Sequence, residues 1–87
     1  MKNITMFMIR GCPYCAAAKK YMDELIAEKP AYGSAEITVV DEDVDPETAG
    51  KYDYYYVPAY YVGGVKLHEG AAGKADIEKV LRAALEM

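Results

Sequence analysis

Apolar positions change their period several times along the chain, and each change marks an element. Ile4-Thr5-Met6-Phe7-Met8-Ile9 is an apolar run broken only by Thr5, which reads as a buried strand. Ala16-Ala17-Ala18-Lys19-Lys20-Tyr21-Met22 then continues in strong helix formers. Ala18, Met22, Leu25 and Ile26 recur at helical spacing and form the expected core face, with Lys19, Lys20, Asp23 and Glu24 on the solvated side. Lys29-Pro30 ends this helix, because proline disfavours helix in the residue before it, and Tyr32-Gly33-Ser34 supplies a loop.

Glu36-Ile37-Thr38-Val39-Val40-Asp41 is rich in β-branched residues and predicts a second strand, parallel to the first through the helical crossover. Asp45-Pro46-Glu47 carries the marks of a helix start, with Asp45 as N-cap, and a short helix to about Tyr52 follows. The acidic run from Asp41 to Asp45 lacks the glycine and terminal glutamate of a calcium loop and reads as capping and solvation. Tyr60-Tyr61-Val62, Gly63-Gly64 and Val65-Lys66-Leu67-His68 predict a hairpin with a type I′ or II′ turn. Ile77, Val80, Leu81, Ala84 and Leu85 mark one face of a last helix, entered through Gly70-Ala71-Ala72-Gly73. The predicted order is βαβαββα, an α/β fold with a four-stranded mixed sheet packed between helices.

Composition narrows the class. The chain has 87 residues and 53% hydrophobic content, enough for one domain spanning 1–87 and its modest core. The start lacks the longer apolar region and small-residue cleavage site of a signal peptide, and no run approaches a membrane span, so the expected location is cytoplasmic. A net charge of −4 argues against nucleic acid as a main partner, since phosphate binding depends on clustered Lys and Arg. In that compartment two cysteines three apart suit a redox or metal role better than a structural staple.

The chemistry is expected where the first strand meets the first helix. Pro13 suits the first helical position, which makes Cys12 the N-cap. Unpaired N–H groups and the positive end of the helix dipole favour a thiolate there, while Cys15, one turn along and nearer the interior, is placed to attack a mixed disulfide on Cys12. Arg10, two residues earlier, either ends the strand or favours that thiolate or an anionic substrate. A zinc site would want four ligands, and the chain offers no second Cys pair and only His68, so no metal is assigned. His68 falls out of step with Val65, Leu67 and Glu69 and is expected to face solvent. The tyrosines at 52, 54, 55, 56, 60 and 61 read mainly as packing residues whose hydroxyls reach the surface.

Cys12-Pro13-Tyr14-Cys15, continued by Ala18-Lys19, resembles the active site of dithiol glutaredoxins within the wider thioredoxin-fold family. Tyr56-Val57-Pro58 resembles that family's Val-Pro step, in which the proline is cis and faces the dithiol. The resemblance implies a thioredoxin fold and a monomeric thiol–disulfide oxidoreductase with a part in electron transport and cell redox homeostasis. Cys12 would be nucleophile and Cys15 resolving thiol, acting on protein disulfides or glutathione mixed disulfides. It implies no bound cofactor and glutathione as co-substrate. Arg10, Pro13, Tyr14, Tyr56, Val57 and Pro58 would meet the substrate, Tyr14 being exposed and Tyr55 and Tyr56 lying near the dithiol. Glutaredoxins place a Gly-Gly pair and an Asp at the start of the last helix to hold a glutathione carboxylate. Here Gly63-Gly64 falls in the hairpin turn, and the longer approach from Glu69 to Asp76 is similar to a thioredoxin, although Ala75, Asp76 and the nearby amides could still receive glutathione. Two alternatives follow: a thioredoxin-like reductase of protein disulfides served by a flavoprotein reductase, and an iron–sulfur carrier bridged by Cys12 of two chains.

Overall fold

The computed structural model describes residues 3–86. Its elements are β1 (Ile4–Met8), α1 (Pro13–Glu28), a 3₁₀ helix (Pro30–Ser34), β2 (Ile37–Asp41), α2 (Pro46–Ala49), β3 (Ala59–Val62), β4 (Val65–Glu69) and α3 (Lys74–Glu86). The sheet order is β2-β1-β3-β4, with β1 parallel to β2 and the other pairings antiparallel. The predicted order and mixed sheet are therefore observed.

The near-continuous apolar run of β1 follows from its central place. Ile4 and Met6 face α1 and α3, with Tyr60, Val62, Ile77 and Leu81 in the same cluster. Phe7 faces the other way, among Val40, Ala49, Ala59 and Tyr61 on the side of α2. Both faces of a central strand are buried, so alternation disappears. Each fully buried Ile, Phe or Met side chain of this kind contributes about 1.5–3 kcal/mol relative to exposure. No helix among the described residues is long and apolar enough to cross a membrane.

The six tyrosines between positions 52 and 61 divide into three groups. Tyr60 is fully buried, and its hydroxyl donates to Met22 Sδ at 3.2 Å. Tyr52, Tyr54 and Tyr61 gather around Phe7, with ring centroids 4.7, 4.8 and 5.9 Å from it. Tyr55 and Tyr56 are exposed.

Four expectations are corrected. Ile9 lies beyond β1, which ends at Met8. Tyr32, Gly33 and Ser34 belong to the 3₁₀ helix rather than to a loop, and Tyr32 is buried there with its hydroxyl donating to Glu78 Oε2 at 2.8 Å. The second helix stops at Ala49, and Tyr52 turns into the Phe7 cluster instead. His68 is half-buried: β4 carries a bulge between the pairs Tyr60–His68 and Tyr61–Lys66, which brings His68 onto the same face as Tyr60. Its Nε2 donates to the carbonyls of Gly70 and Ala71 at 3.2 and 3.1 Å. Gly63 and Gly64, with φ of 57° and 87°, form the type I′ turn that the sequence allowed.

Candidate active site

The chain leaves β1 through Arg10 and Gly11 before entering α1. Gly11 has φ +84° in open space, so the position demands glycine for its conformation and not for lack of room. Cys12 follows in extended conformation as the N-cap, its N–H bonded to Ile9 O at 3.2 Å and its carbonyl accepting from Ala16 N at 3.1 Å. Pro13 occupies the first helical position. The first turn of α1 carries no acidic residue, so no carboxylate competes for the helix N-terminus.

The two sulfurs sit in unlike surroundings. Cys12 is partly exposed, and the N–H of Cys15 points at its Sγ from 3.3 Å. Hydrogen bonding from the Cys15 thiol, and then from the backbone N–H groups of Cys15 and Tyr14, holds the Cys12 pKa below the usual thiol value against a desolvation penalty. Cys15 is buried. Burial first, then its hydrogen bond to Cys12 and the charge there, push its pKa up to about 11, with Ile9 backbone and Lys19 acting the other way. The surroundings thus favour the anion at Cys12 and keep its neighbour Cys15 a neutral donor. A thiolate so placed can open a disulfide, and a buried thiol one turn away can displace what it captures.

The residues singled out by sequence distribute around this pair as follows. A cavity of about 330 Å³ beside the dithiol is lined by Met8, Ile9, Arg10, Gly11, Cys12, Pro13, Cys15, Ala16 and Lys19. Arg10 is exposed there, as are Pro13 and Tyr14 on the helix tip. The Val57–Pro58 bond is cis. Val57 is half-buried and packs, like Cys12, against the cluster that contains Cys15, while Tyr56 stands in solvent at the other end of this step. Ala75 and Asp76 do not line the cavity. Asp76 instead turns back to accept from Gly73 N at 3.0 Å, the reciprocal half of a capping box at the start of α3.

Two contributors escaped the sequence reading. Lys19 lies one turn beyond Cys15 and lowers its pKa, which the i,i+4 spacing could have revealed. Glu69 accepts from the N–H groups of both Tyr55 and Tyr56, and no local signal announces that contact.

The sequence matches the family model described as Thioredoxin domain over residues 2–82. It is 31% identical over 84 residues to a probable thioredoxin of Methanothermobacter thermautotrophicus, covering 97% of this chain and 96% of that one. The fold is similar to the oxidised mitochondrial thioredoxin 3 of Saccharomyces cerevisiae, with a TM-score of 0.74 at 21% identity over 94% of this chain and 77% of that one. A malarial protein gives the same TM-score at 19% identity over 98% of both chains.

Proposed function

Because this chain belongs to the thioredoxin-domain family and is a thioredoxin-like thiol–disulfide oxidoreductase, we propose that it reduces protein disulfides in the manner of a thioredoxin. The Cys12 thiolate attacks one sulfur of the substrate disulfide, the S–S bond breaks, and the other sulfur leaves as a thiolate. Cys15 then attacks the Cys12 sulfur of the mixed disulfide, its proton passes to the departing substrate sulfur, and a Cys12–Cys15 disulfide remains. An external dithiol donor, a flavoprotein reductase in this reading, returns two electrons to it. The observation that carries the proposal is the asymmetry of the pair: an accessible Cys12 with its pKa lowered and a buried Cys15 with its pKa raised. Val57, next to the cis proline, offers its backbone as the edge for an extended substrate, and the exposed rings of Tyr56, its chain neighbour, and of Tyr14 on the helix tip offer aromatic surface to it.

The glutaredoxin reading rests on Cys-Pro-Tyr-Cys. Against it stand the commitment of the Asp76 carboxylate to Gly73 N–H and the thioredoxin-like approach to α3. Wild type, Cys12→Ser and Cys15→Ser, each assayed on a protein disulfide and on a glutathionylated peptide, separate the two. A thioredoxin-type enzyme needs the intramolecular thiol, whose effective concentration far exceeds that of any external one, so Cys15→Ser accumulates as a mixed disulfide. Sustained turnover of the glutathionylated peptide by Cys15→Ser with glutathione would overturn the proposal.

A further inference from the structure

Residues 53–58, between α2 and β3, belong to no helix or strand, yet they carry Val57 and Pro58. Side chains and backbone of the β3–β4 hairpin hold this segment. The Tyr61 hydroxyl donates to the Asp53 carbonyl, and Gly70 N donates to Pro58 O at 2.9 Å. Between these two anchors a single carboxylate oxygen, Glu69 Oε2, accepts from Tyr55 N and from Tyr56 N, the latter at 3.1 Å. The other oxygen of Glu69 takes Lys66 Nζ at 2.8 Å. Successive N–H groups converging on one point are the arrangement by which backbone binds an anion. Here the chain fills that position with its own side chain.

We propose that Glu69 is a positioning residue for the substrate edge: fixed on β4, its carboxylate takes the two amides immediately before Val57 and so sets the Val57 backbone for an extended disulfide peptide to pair with. The inference rests on the reading of Val57 as that edge. The β4 bulge makes the contact possible, because it puts Glu69 opposite Ala59 and Lys66 opposite Tyr61, on the sheet face where residues 52 and 54 also pack. The lysine bond and the two amides hold the Glu69 pKa down to about 2, so the acceptor is a full anion under ordinary conditions.

Single-turnover reduction by the pre-reduced full chain provides the test, since it needs no external donor. Two substrates are compared: an extended peptide carrying an intramolecular disulfide, and 2-hydroxyethyl disulfide, which has no backbone to pair. In Glu69→Ala the half-saturation concentration for the peptide is expected to rise about tenfold, the scale of one charge-assisted hydrogen bond, with a much smaller change for 2-hydroxyethyl disulfide. Amide exchange at Tyr55 and Tyr56 accelerates in the same variant. Glu69→Gln, which keeps an acceptor oxygen, recovers most of the peptide's half-saturation concentration. An unchanged value for the peptide in Glu69→Ala, an equal rise for both substrates, or no recovery in Glu69→Gln overturns the inference while the reductase reading stands. Failure of wild type to reduce either substrate overturns the reductase reading and this inference with it.

Discussion

The backbone N–H of Cys15 lies 3.3 Å from Sγ of Cys12, so the residue proposed to resolve the mixed disulfide also stabilises the sulfur that forms it. The contact is a direct product of helix geometry. An N-cap side chain accepts from the N–H three residues on, and the three-residue spacing of the cysteines places the second thiol on that same turn. The first turn of α1 therefore ties together the two halves of the reaction.

That coupling predicts how Cys12 titrates. Iodoacetamide labelling against pH, resolved by peptide mass, should find Cys12 reacting first, with a midpoint below the ordinary thiol value. Cys15→Ala removes the thiol donor that contributes most to the lowering, so the Cys12 midpoint should move up. Faster labelling of Cys15 would contradict the assignment.

Phe7 anchors the face covered by α2. Phe7→Ala leaves Tyr52, Tyr54 and Tyr61 around a void and should cost about 3–5 kcal/mol in urea unfolding. Tyr60→Phe on the opposite face keeps the ring and loses only the hydroxyl's bond to Met22 Sδ, so its cost should stay near or below about 1 kcal/mol.

Asp76 separates capping from ligand binding. Asp76→Ala removes the carboxylate that accepts from Gly73 N and should lower stability by about 1 kcal/mol. The half-saturation concentration for a protein disulfide should stay within about twofold, because a cap that does not line the dithiol cavity changes folding free energy without touching substrate. Paired unfolding and kinetic measurements check both halves.

Glu69 gives the acid limb of the stability profile a testable part. Its folded pKa of about 2 lies below the unfolded glutamate value of about 4.3, so its contribution is present above the unfolded value and is lost as pH falls through the folded one. Lys66 and the Tyr55 and Tyr56 amides face the carboxylate, with Asp53 near Lys66. Between about pH 4.3 and about 2, wild type should therefore lose more stability than Glu69→Gln, read as the urea midpoint against pH.

The sequence by itself determined the elements and the place of the chemistry, because those signals are local. Continuous apolar character marked β1, helical spacing marked α1 and α3, and Gly63-Gly64 fixed the turn of the β3–β4 hairpin. Pro13 between two cysteines at a strand–helix junction made Cys12 an N-cap, and only residues within one helical turn are needed to see it. The tertiary structure alone decided which tyrosines are core and which are exposed, since tyrosine suits either place and neighbours from other elements choose. It also decided the faces of β4. One extra residue at Leu67 breaks strict alternation, turning His68 inward and bringing Lys66 and Glu69 to one side. A bulge is set by the fit of two strands to each other, so no pattern within β4 records it. The carboxylate that braces the Val57 loop was therefore invisible until the hairpin had closed around it.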